Sequence, residues 1–75
     1  MAIKFSRHAR RRAQLYNLPE KVINDIISEA MLSDGEHILI KDITGFKYPV
    51  KVVVRVEGDL LTIITNYPLK KGRGQ

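Results

Sequence analysis

Apolar residues recur every three to four positions as far as Met31 and alternate with polar ones from Glu36 onward. The chain therefore changes from helical to strand periodicity near its middle. Ala2 to Phe5 alternates weakly and suits a short edge strand. Ser6 has the chemistry of a helix N-cap, and Arg7 to Tyr16 contains neither glycine nor proline. On a helix, Ala9, Ala13 and Tyr16 share one face, Arg7, Arg10, Arg11 and Gln14 lie opposite, and His8 and Arg12 fall at the border. Asn17 can take the left-handed conformation that ends a helix, and Pro19 suits the first turn of another.

Lys21 to Met31 carries the clearest helical stripe, formed by Val22, Ile23, Ile26, Ile27 and Ala30. The Ser33-Asp34-Gly35 cluster is expected to stop it. Glu36 to Ile43 reads as a strand, Thr44-Gly45 as a turn, and Phe46 to Glu57 as a long strand with Val50, Val52, Val54 and Val56 on one face. Gly58-Asp59 predicts a tight hairpin into a last strand, Leu60 to Tyr67, closed by Pro68. The expected fold class is α+β: a two-layer sandwich in β-α-α-β-β-β order, with a helical hairpin packed on an antiparallel sheet of three to four strands. Residues 1–68 form the single domain of this reading, and residues 69–75 a flexible basic tail.

Composition narrows the picture. With 75 residues, 44% hydrophobic and 28% charged, the chain fits one folded domain and not a disordered segment. Cysteine is absent, which removes disulfides, thiolate metal sites and cysteine nucleophiles. No apolar run approaches the roughly 18–20 residues of a membrane helix. The first residues lack the apolar region of a secretory signal, so no membrane partner and a cytoplasmic location are expected. A core this small also favours support from a second copy or a partner protein.

The net charge of +5 is unevenly spread. Lys4, Arg7, Arg10, Arg11 and Arg12 open the chain without an acid, and Lys70, Lys71 and Arg73 close it without one. The body between holds all eight acids and five bases. If the fold joins the two ends, they make one positive patch suited to a polyanion, most simply nucleic acid.

His8 and Arg12, one helical turn apart, carry the candidate chemistry. A histidine in a first helical turn, where the dipole favours phosphate, can exchange a proton with a reacting oxygen. An arginine fork beside it can hold two phosphate oxygens. These are parts of a metal-free RNA cleavage site, although a boundary histidine beside a solvated arginine explains the spacing equally well. On the last strand, Thr65 and Tyr67 are expected to continue the face of Leu61 and Ile63 as the rim of a groove, where Tyr67 donates a proton or stacks a base. Tyr16 is a further stacking candidate or simply core. Lys70 and Lys71 are candidates for phosphate binding on charge alone. His37 stands apart, and neither zinc nor magnesium ligand spacing is present, so no metal or other cofactor is expected.

Ser6-Arg7-His8-Ala9-Arg10-Arg11-Arg12 resembles the S-x-H-A-x-x-R opening of a family of small bacterial domains of unknown function. Thr65-Asn66-Tyr67-Pro68 is similar to that family's T-x-Y-P closing strand, and Asn17-Leu18-Pro19-Glu20 to its inter-helix turn. The resemblance runs over about residues 3–70. Such domains look like relatives of the RelE and BrnT toxins of toxin–antitoxin systems, within the metal-independent endoribonucleases. The resemblance implies a RelE-like fold, RNA as substrate and a cognate antitoxin as partner. It places His8, Arg12, Thr65 and Tyr67 at a shared cleft, with Arg55 the most suitable strand residue beside them.

The combined expectation is an RNA-binding, toxin-type endoribonuclease: His8 as general acid or base, Arg12 on the phosphate, and Tyr67 and Thr65 positioning or protonating. Lys4, Arg7, Arg10, Arg11, Arg55, Lys70 and Lys71 would hold the RNA. The alternative is a non-catalytic module of the same fold that binds nucleic acid or protein.

Overall fold

A computed structural model describes residues 2–69. Its elements run β1 (Ala2–Phe5), α1 (Arg7–Leu15), α2 (Glu20–Ala30), β2 (Gly35–Lys41), β3 (Val50–Glu57) and β4 (Leu60–Pro68). The expected α+β arrangement is present: two helices pack on a four-stranded sheet ordered β1-β4-β3-β2. The sheet is mixed, because β1 joins β4 in parallel while β2, β3 and β4 form an antiparallel meander.

Local chemistry explains the boundaries. Asn17 takes the left-handed conformation (φ 57°) and separates the helices. Met31 caps α2 in the same conformation (φ 50°), so the helix stops ahead of the Ser33-Asp34-Gly35 cluster expected to end it. Gly58 has a φ of 60°, as a type II′ hairpin turn needs at its first central position. The expected Phe46–Glu57 strand is shorter at its start. Pro49 has no N–H for a ladder, and pairing with β2 ends at Lys41 opposite Val50. Ile43 and Phe46, in the connecting loop, pack instead against the core.

All helical packing falls on one sheet face. Val50, Val52, Val54 and Val56 of β3, with Leu61 and Ile63 of β4, are buried against Ala9, Ala13, Leu18, Ile23, Ile26 and Ile27. Burying apolar surface at about 25 cal/mol per Å² makes this layer the main source of stability. The residues between them in sequence point to the other face, which carries no helix among the described residues. Leu69, assigned to a loose tail from sequence, donates its N–H to the Pro49 carbonyl at 2.8 Å. Lys70, Lys71 and the rest of the expected tail lie outside the described residues.

Candidate nucleic-acid interface

The start of α1 is fastened to β4 by one serine. Ser6 Oγ accepts from the Ala9 N–H at 3.0 Å, capping the helix, and donates to the Ile64 carbonyl at 2.9 Å. The Ser6 N–H donates to the Ile63 carbonyl at 3.0 Å. Ala9 and Ala13 are small enough for α1 to lie close over β4, and there the buried Asn66 donates through Nδ2 to the Ala9 carbonyl at 3.2 Å.

This docking fixes which parts of α1 face outward. Arg10, Gln14 and Asn17 line a cleft shared with Leu18 and Glu20 at the start of α2. The Arg10 Nη1 lies 3.8 Å from Glu20 Oε2. His8 and Arg12 occupy the opposite flank, one turn apart; His8 is exposed and Arg12 half-buried. Arg7 and Arg11 point to solvent on the outer side. The first turn of α1 holds no acid. Among the described residues, Arg10 is the only basic residue of α1 within ion-pair distance of a carboxylate.

Thr65 and Tyr67 do not share the face of Leu61 and Ile63, which corrects the alternation expected from sequence. The register between β3 and β4 shifts at Val53/Val54: Val54 pairs with Ile63 but Val53 pairs with Thr65. Ile64 is thus an extra residue in β4, a β-bulge, and it reverses the phase of every side chain beyond it. Asn66 takes the inward place opposite Val52, while Thr65 and Tyr67 fall opposite Val53 and Lys51 on the face without helices. Lys51 Nζ lies 5.7 Å from the centroid of the Tyr67 ring, on that same side. His8 and Arg12 belong to the helical layer, so these four side chains do not line one trough between helices and sheet.

The remaining candidates are dispersed. Lys4 lies on the open face of β1, opposite Thr62. Arg55 also lies on that face, and its Nη2 donates to Glu36 Oε2 at 3.0 Å, which offsets its charge. Tyr16 sits at the end of α1 and is exposed. His37, on the helix side of β2, meets the Ser33 carbonyl through Nε2 at 2.7 Å. No group of His, Asp or Glu able to hold a metal occurs among the described residues. No helix there is long and apolar enough to cross a membrane.

Two features escaped the sequence reading. Asn66 stands at the variable place of T-x-Y-P, yet it is the polar residue buried under α1. Ile38 and Ile40 lie within the strand expected over Glu36 to Ile43, yet they are 61% and 58% exposed on the open face. The unbroken Ile38-Leu39-Ile40 run, apolar on both faces of its strand, was the available signal. No family model, curated protein or solved structure matches this chain.

Proposed function

We propose that the protein binds RNA, with α1 as the helix that meets the phosphate backbone. One observation carries this reading: α1 presents an acid-free cationic surface made of Arg7, Arg11 and Arg12, with His8 beside them, unneutralised by any carboxylate among the described residues. The N-terminal end of α1 adds the positive end of the helix dipole. The RelE/BrnT-like opening favours RNA over DNA. Binding is supported ahead of cleavage, because a proton relay from His8 to Tyr67 would have to pass through the sheet.

The test is a titration of fluorescent single-stranded RNA in EDTA at about 50 mM salt and upward, with each sample run on a gel for products. Four phosphate contacts give a log–log salt slope of about −3. Wild type should bind with a slope near that value and leave the RNA intact. The paired change Arg7→Glu and Arg11→Glu should weaken binding at least about tenfold and flatten the slope. Absence of binding at low salt, or affinity unchanged by the charge reversals, would refute the reading. Products that vanish in His8→Ala would restore the endoribonuclease.

A further inference from the structure

We infer that the Tyr67 end of the sheet is a stacking platform for single-stranded RNA, whose bases lie on Tyr67 and Tyr48 beside Lys51 and Lys47. The inference rests on the RNA reading above and deepens it, naming the form of the RNA and the side chains that receive its bases.

The bulge at Ile64 supplies the first half of the platform. It turns Tyr67 away from the core, and the half-buried ring lies opposite Lys51, whose Nζ is 5.7 Å from the ring centroid. A second pair stands at the same end of the ladder between β3 and β4. Tyr48 precedes Val50 by two residues, Val50 pairs with Pro68, and Lys47 Nζ lies 5.6 Å from the Tyr48 centroid. Both distances fall within the roughly 6 Å over which a cation and an aromatic face attract. Neither lysine is within ion-pair distance of a carboxylate among the described residues. The ladder rows that run through Val53 and Lys51 contain no acid. Neither ring belongs to the hydrophobic core.

Aromatic rings interleaved with unpaired cations are the chemistry of single-strand recognition, because every base has a π-face to stack and every phosphate needs a positive neighbour. A duplex keeps its bases stacked on one another and offers these rings only backbone. An apolar protein partner covering the same surface would bury two lysines without a counter-charge. The extent of β1 connects the platform to α1. β1 pairs with β4 only as far as Ile63, so beyond that point β4 is the outer strand of the sheet. There α1 packs on one face, over Asn66, and Tyr67 stands on the other. A single strand whose phosphates follow α1 therefore reaches Tyr67 around this edge, without crossing the sheet.

Titration of one fluorescent RNA, as a single strand and as a duplex, tests the platform, with circular dichroism to check the fold of each variant. Wild type should bind the single strand about tenfold more tightly than the duplex, a factor within the range of one stacked base. Tyr67→Leu and Tyr48→Leu should each weaken single-strand binding about fivefold or more and leave duplex binding unchanged. Their salt slope should match wild type, which separates lost stacking from a lost phosphate contact. Tyr67→Phe keeps the ring and should bind as wild type does. Equal wild-type affinity for the two forms, or single-strand binding indifferent to both leucine changes, would overturn the platform. If the Arg7→Glu and Arg11→Glu pair still weakens binding in that case, the RNA reading stands without it. No binding of either form at low salt would overturn both. The comparison of single strand with duplex needs no substitution, so it decides the matter even where a leucine variant unfolds.

Discussion

The amide of Asn66 donates to the carbonyl of Ala9 at 3.2 Å, joining the last strand to the first helix across 57 positions of sequence. Asn66 is fully buried, and its Oδ1 has no hydrogen-bond partner among the described residues. Asn66→Ala should cost about 1–3 kcal/mol, the lost bond and cavity being partly offset by removal of the unpaired oxygen. Asn66→Asp should cost more, about 3 kcal/mol or above, because it buries a charge and turns an oxygen toward the Ala9 carbonyl. Urea denaturation of the two variants checks the order.

Ser6 joins a helix cap to a contact with the bulged residue Ile64. Ser6→Ala removes both bonds and should destabilise by about 1–2 kcal/mol, toward the upper end for an N-cap. Ser6→Thr keeps the hydroxyl and should recover most of that loss. Thermal melts of the pair distinguish the hydroxyl's contribution from a general effect of substitution.

The bulge makes a prediction opposite to simple alternation. Ile63→Ala should cost about 2–5 kcal/mol as a core truncation. Tyr67→Ala and Thr65→Ala, on the open face, should each cost less than about 1 kcal/mol. A large loss at Tyr67 comparable to that at Ile63 would place the tyrosine in the core and contradict the register.

Met31 closes α2 in a left-handed conformation while being 91% exposed. A side chain there costs about 1–2 kcal/mol that glycine avoids, against glycine's greater entropy when unfolded. Met31→Gly should therefore stabilise the protein by up to about 1 kcal/mol and raise Tm. A lower Tm would show that the exposed methionine makes a contact the backbone argument omits.

The arginines of α1 should separate by flank. Arg12→Ala should weaken RNA binding several-fold, whereas Arg10→Ala, whose side chain faces Glu20 in the inter-helix cleft, should change it by less than about twofold. Equal losses at both positions would mean that the RNA contacts both flanks of the helix.

Periodicity and local chemistry determined much of this molecule. The isoleucine stripe of α2, the alternating valines of β3, the left-handed Asn17 and the serine cap all depend on residues within a few positions of one another, so they can be read along the chain. The clustering of arginine at the opening was equally plain. Tertiary pairing decided the rest. The phase of β4 beyond Ile63 depends on which β3 residue each position meets, and one bulged residue moved Thr65 and Tyr67 to the other face. The partners that engage Glu36, Lys41 and Arg55, and the edge position that leaves Ile38 and Ile40 uncovered, also follow from strand order. A linear pattern records which residues avoid water; it does not record which strand lies beside another, because that choice is made by contacts between segments distant along the chain.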